Sequence, residues 1–150
     1  MMPHQVSFFL PFEELMGMFE AKQINFDDLP DDPNDNFNNA SADGRGFAVS
    51  GGVAQAVVNV IKNEDPTREV KVVSAQGLAE CKKMMQLAAA GKYNGYLLEG
   101  MACPGGCIAG AGTLADPARS AMMLNKYKAQ ATMKTAADTP YKDTLDKLKY

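Results

Sequence analysis

Apolar and polar positions change period along the chain, and the changes mark the elements. Val6 to Leu10 is a short run rich in Phe and Val closed by Pro11, as expected of a buried strand. From Phe12 to Gln23 the spacing turns helical. Leu15, Met16, Met18 and Phe19 cluster on one side, leaving Glu13, Glu14, Glu20 and Lys22 for water, with acids early and lysine late as the helix dipole favours. Asp27 to Asp43 is acidic and Asn-rich with two prolines, which is loop chemistry. Gly46 to Val49 reads as a second short buried strand. Ser50-Gly51-Gly52 then opens a helix to about Asn63, whose apolar set is Val53, Ala56, Val57, Val60 and Ile61, and Pro66 marks the next turn.

Glu69 to Ser74 alternates around Val70, Val72 and Val73 and predicts a strand; Leu78 to Ala90 predicts a helix stopped by Gly91; Tyr96 to Leu98 predicts another strand. Asp116 caps a long helix with Pro117 in its first turn, running to about Lys134. The tail from Asp138 to Tyr150 has Leu145 and Leu148 among Lys and Asp, enough for a short amphipathic helix capping the domain. The order β-α-β-α-β-α predicts an α/β fold, a mostly parallel sheet with helices on both faces joined by right-handed crossovers. Residues 1–150 read as a single domain without repeats.

Composition narrows the class. A chain of 150 residues can bury roughly 68 to 70% of its unfolded surface in one core. A net charge of -3 leaves no basic stripe for a phosphate backbone, which excludes nucleic acid as a main partner. No apolar run approaches the ~20 residues that span a bilayer, so the expectation is a soluble, cytoplasmic protein with no membrane partner. Three cysteines without a secretory signal argue against a disulfide framework, the one histidine, His4, gives little support to histidine catalysis, and the ten methionines read mostly as core filler.

The chemistry concentrates in Glu99-Gly100-Met101-Ala102-Cys103-Pro104-Gly105-Gly106-Cys107-Ile108-Ala109-Gly110-Ala111-Gly112. Two thiols stand four positions apart on a loop directly after a strand, where open α/β sheets place their ligands. Thiolates suit iron and other soft metals, and glycines let backbone approach a bulky inorganic group and donate amides to its sulfides. The alternative is a glycine-rich turn carrying unligated or disulfide-paired cysteines. A [4Fe-4S] cluster ordinarily takes four cysteines, and Cys81, on or near the apolar face of a helix with Met84, Met85 and Ala88, reads as a small buried thiol rather than a ligand. About half the ligands of any cluster must then come from another polypeptide or a second copy of this chain.

Other signals are weaker. Gly44-Arg45-Gly46 with Gly51-Gly52 imitates a phosphate loop but lacks its spacing and its Lys-Ser/Thr. Asp32, Asn34, Asn36 and Asp43 fall on a calcium-loop template with Phe37 where glycine is required, so a solvated loop is favoured. The acidic run Asp27, Asp28, Asp31, Asp32 reads as a wet face.

Glu99, Met101, Cys103, Gly106, Cys107, Gly110 and Gly112 resemble the third signature of the iron-only hydrogenases, E-x-M-x-C-x-x-G-C-x-x-G-x-G. Gly46-Phe47-Ala48-Val49-Ser50-Gly51-Gly52-Val53 resembles that family's F-G-A-T-G-G-V segment, and Pro11-Phe12-Glu13-Glu14-Leu15 its helix start after a strand. The resemblance implies one lobe, the C-terminal one, of the hydrogenase catalytic domain. It implies Cys103 and Cys107 as metal ligands of the H-cluster, a [4Fe-4S] cubane with a diiron subsite, Cys107 bridging the two parts. Cys107 and Met101 would stand at the catalytic position. Cys103, Cys107, Phe47, Ser50 and Gly106 would bind the cofactor, with Ala48 in the same wall.

The family's T-S-C-C-P and M-P-C signatures are absent, so the missing N-terminal lobe, or a second copy of the chain, is the expected partner, with an electron carrier such as ferredoxin. Gly110-Ala111-Gly112-Thr113-Leu114 replaces the usual G-G-G-Q-P, as in divergent, sensory members. The alternatives are a non-catalytic Fe-S-binding or redox- or H2-sensing module and a cluster-free scaffold. A lobe cut from its partner should expose an apolar face around Phe47, Met101 and Ile108.

Overall fold

The computed structural model describes residues 10–30, 39–140 and 144. Its elements are α1 (Phe12–Ala21), α2 (Ala42–Arg45), α3 (Gly52–Glu64), β1 (Lys71–Gln76), α4 (Leu78–Ala89), β2 (Tyr96–Met101) and α5 (Pro117–Ala129), with short 3-10 turns at Phe26–Asp28, Gly46–Ala48, Cys107–Ala109 and Ala136–Asp138. β1 and β2 pair in parallel, from Lys71 opposite Tyr96 to Gln76 opposite Met101, with α4 as the crossover. Glu99 Oε1 reaches the Ala54 amide of α3, whereas a Cβ on Gly100 would lie 3.2 Å from Cys81 Sγ of α4. Successive strand residues point to opposite faces, so helices cover the ladder from both sides as expected of an α/β fold.

Among the described residues the two strands form the whole sheet. The expected strand at Val6 to Leu10 lies outside the described residues except for Leu10, and the tail helix lies outside them beyond Pro140 except for Thr144. The strand expected at Gly46 to Val49 is not formed. Ser41 Oγ accepts the Gly44 amide at 3.1 Å and nucleates α2, which runs on into the 3-10 turn and leaves Phe47 46% exposed. Local capping holds this segment in helical turns, and it pairs with no strand among the described residues. Within the expected loop from Asp27 to Asp43, Asn25 caps a 3-10 turn and α2 begins at Ala42.

α5 starts as expected, with the Asp116 side chain accepting the Arg119 amide at 2.9 Å, but ends at Ala129 rather than near Lys134. The carbonyls of Met133 and Lys134 instead accept the Ala42 and Asp43 amides, which pulls this segment off the helix axis and onto α2. Among the described residues the buried apolar side chains are Ala54, Ala56, Val58, Ala75, Met84 and Ala131. Ala56 belongs to the expected apolar set of α3, while Val53 and Val57 stay more than a third exposed at the open cavity between α3 and β2, because the helix packs its smaller residues closest. The methionines are not mainly core filler: Met84 is buried, but Met16, Met18, Met85, Met122 and Met123 are exposed. No helix among the described residues is long and apolar enough to cross a membrane.

Candidate metal centre

The loop after β2 is two consecutive turns, each opened by a cysteine. The Cys103 carbonyl accepts the Gly106 amide at 3.0 Å, with Pro104 and Gly105 at the central positions and Gly105 at φ +90°, the residue pattern of a type II turn. The Cys107 carbonyl accepts the Gly110 amide at 3.1 Å and closes the 3-10 turn Cys107–Ala109. Gly106 joins them at φ +92°, ψ -167°, a region essentially reserved for glycine. The four-residue spacing of the thiols is thus one turn followed by the start of another.

Three neighbours hold this loop. Gln76 Oε1, at the end of β1, accepts the Gly105 amide at 2.7 Å, and the Ser50 amide donates to the Gly105 carbonyl at 3.2 Å. Glu99 Oε1, four residues before Cys103, accepts the Ala54 amide at 3.0 Å. The glycines partly serve this packing: a Cβ on Gly106 would lie 2.5 Å from the Ala48 carbonyl, and one on Gly112 (φ +78°) 2.7 Å from Pro11 Cβ. What these two glycines admit is the chain's own backbone and Pro11.

Cys107 is exposed and Cys103 half-buried, and all three cysteines are free thiols. Cys107 lines a cavity of about 440 Å³ with Phe12, Met16, Ala48, Ile108, Thr113, Leu114, Ala115 and Ser120. Met101 lies elsewhere, in a cavity of about 280 Å³ between α3 and β2 beside Val53, Val57 and Glu99. Phe47 is exposed next to Ala48, and Ser50 keeps a buried hydroxyl without a hydrogen-bond partner beside the loop it anchors. Cys81 is apart from the pair, its Sγ 3.6 Å from the carbonyls of Ala75 and Met101.

The donor set tests the fit to a cluster. Among the described residues no group of three or more His, Cys, Asp or Glu side chains could hold a metal ion. Two thiols on one clamped loop fit half of a four-thiolate site whose other half comes from outside these residues; they do not fit a cluster closed by the described residues alone. An apolar cavity beside Cys107 and an unpartnered buried hydroxyl at Ser50 agree with a group seated against this face.

Several contributors escape a linear reading. Gln76 and Phe12 reach the loop from other elements, and only the rule that ligand loops gather at the carboxyl ends of parallel strands points toward Gln76. Asp43, grouped above with a solvated loop, is buried in α2, with Oδ1 accepting from Asn59 at 2.8 Å and Oδ2 without a partner. Asp32, Asn34 and Asn36 lie outside the described residues, while Asp27 and Asp28 are exposed as a wet face requires.

Fold and loop together define a parallel α/β lobe presenting two thiols at the carboxyl end of its sheet. Residues 1–111 match the family described as iron only hydrogenase large subunit, C-terminal domain, and the chain belongs to that family. It is also similar to the periplasmic [Fe] hydrogenase large subunit of Nitratidesulfovibrio vulgaris, at 29% identity over 130 residues, covering 69% of this chain and 31% of that one. The chain spans about a third of the length of that curated relative.

Proposed function

We propose that this chain is the C-terminal lobe of an iron-only hydrogenase catalytic domain, with Cys103 and Cys107 supplying two of the thiolates of its iron-sulfur centre. The carrying observation is the pair of consecutive turns, each opened by a cysteine, on a loop held by Gln76 and Ser50 and joined by no third ligand among the described residues. When bound, an H-cluster supplies reversible H2 oxidation and proton reduction. The chain's own part is to present both thiols from one loop, to keep water from the Cys107 side with the apolar walls of Phe12, Ala48 and Ile108, and to meet the other lobe with its exposed apolar surface. That surface includes Phe47, as expected, while Ile108 and Met101 are half-buried in their cavities. The missing lobe is the partner this reading requires, an electron carrier such as ferredoxin the further one, and few, unpaired cysteines favour a reducing, cytoplasmic setting.

The test is anaerobic reconstitution with iron and sulfide, with iron, labile sulfide and particle size measured on the chain alone and co-expressed with a lobe carrying T-S-C-C-P and M-P-C segments. Iron retained only in the two-lobe complex, and lost in Cys103→Ala and Cys107→Ala, is the expected result. About four iron per dimer of the chain alone, lost in the same variants, would instead establish a cluster shared by two copies, each giving two thiolates. No iron in either preparation would overturn both and leave the cluster-free scaffold.

A further inference from the structure

Building on the reading of Cys103 and Cys107 as ligands, we infer that Glu99 is the positioning residue that sets where those thiols stand, by tying the end of β2 to the first turn of α3. Glu99 is 7% exposed and lines, with Val53, Val57 and Leu97, the cavity between the helix and the strand. Burying a carboxylate there is costly, and one oxygen, Oε1, is used to accept the Ala54 amide, an N-terminal donor that the helix itself cannot satisfy. Oε2 has no hydrogen-bond partner, so the single Ala54 contact is the tether.

Its position gives that contact leverage. The segment Ser50 to Ala54 touches the cysteine loop on both sides of Cys103: before it through Glu99 and after it through the Ser50 amide on the Gly105 carbonyl at 3.2 Å. Cys103 is suspended between two ties to one short stretch of chain. Met101, two residues from Glu99, projects to the same face and lines the same cavity. Gln76 and Ser50 fix the loop at Gly105, after Cys103; Glu99 is the side-chain tie to α3 before it.

Glu99→Asp keeps the charge but is one methylene too short to reach Ala54, Glu99→Ala removes the acceptor, and Glu99→Gln keeps an acceptor oxygen in place. Ser41→Ala, which removes the cap of α2, serves as a control for a general loss of stability. Two readouts are taken: iron and labile sulfide retained by the two-lobe complex, and, in the apo chain, the amide exchange of Ala54 and Gly105 with the alkylation rate of Cys103 against Cys81. Glu99→Asp and Glu99→Ala should lower cluster affinity by roughly 10- to 100-fold, as outer-shell partners of metal ligands do. They should also speed exchange at both amides and alkylation at Cys103, while Glu99→Gln and Ser41→Ala stay near wild type. If Glu99→Ala does not fold, Glu99→Asp carries the same expectation. Wild-type exchange and alkylation in Glu99→Asp would overturn the inference, as would loss in Glu99→Gln equal to that in Glu99→Ala. A wild-type complex that takes up no iron would strike the functional reading instead, and the apo measurements would still decide the role of Glu99.

Discussion

Gly106→Ala is the sharpest perturbation of the cysteine loop that leaves every ligand in place. The added methyl would lie 2.5 Å from the Ala48 carbonyl oxygen, 2.6 Å from the Ser50 nitrogen and 2.9 Å from the Val49 carbonyl carbon, all backbone atoms that cannot swing aside. Alanine at φ +92°, ψ -167° adds strain of about 1–3 kcal/mol. Relieving the clash means lifting the loop by several tenths of an ångström, which breaks the Ser50–Gly105 hydrogen bond, itself contributing about 1 kcal/mol. The expected cost is therefore about 2–4 kcal/mol, a fall in Tm of roughly 5–15 °C for a domain of this size. Gly95→Ala is the matched control, because Gly95 has φ +78° but nothing within 4 Å of its would-be Cβ, so only backbone strain remains. Thermal unfolding by circular dichroism, read together with Cys103 and Cys107 alkylation rates, tests the reasoning. A Gly106→Ala protein no less stable than Gly95→Ala, with unchanged thiol reactivity, would refute the clamped loop.

Three further outcomes are expected. Hydrogen bonds from Thr67 hold the Asp65 carboxyl below its usual value of 3.8, and those from Thr135 do the same for Asp138. Stability from each is complete above the unfolded value and is lost as pH falls through the lower folded one, so urea midpoints should drop as pH falls below the usual carboxylate value, and less steeply in Asp138→Asn. Met84→Ala should cost about 2–5 kcal/mol, because Met84 is the largest buried apolar side chain among the described residues, whereas Met122→Gln should stay within about 0.5 kcal/mol in denaturant titrations. Arg45 stacks 4.0 Å over the Tyr127 ring while its Nη1 donates to the Tyr127 carbonyl at 2.8 Å, and lysine cannot do both; Arg45→Lys should lower the urea midpoint by the equivalent of about 1–2 kcal/mol.

Exposed apolar side chains on several elements bear on how the lobe works. Phe12, Met18, Leu78, Leu114, Met122 and Met123 are all more than half exposed. On the proposed reading of the chain as one lobe of a larger catalytic domain, this surface is where the second lobe would pack. The same reading predicts that the unfolding midpoint of the chain rises by mass action when the second lobe is added.

How much was legible from sequence depended on the range of the interaction responsible. The helix starting at Asp116-Pro117, the helix opened by Gly51-Gly52, the alternation in β1 and the two-cysteine loop after β2 are written in residues adjacent to one another, because caps, period and turn chemistry act over a few positions. Gly46 to Val49 read wrongly because its apolar character suggested a strand, while the Ser41 cap ahead of it starts a helical turn that runs on through it. α5 stopped short because α2, far away in sequence, needed the carbonyls of Met133 and Lys134. At the site, sequence alone determined which thiols there are, their spacing and the glycines their turns require. Which groups hold that loop, Gln76 from β1, Ser50 and Glu99 through α3, and which walls stand beside Cys107, was decided only by the packing of parallel strands and their helices. Hydrogen bonds between residues dozens of positions apart form once burial has brought those elements together, and the order of residues along the chain does not encode that distance.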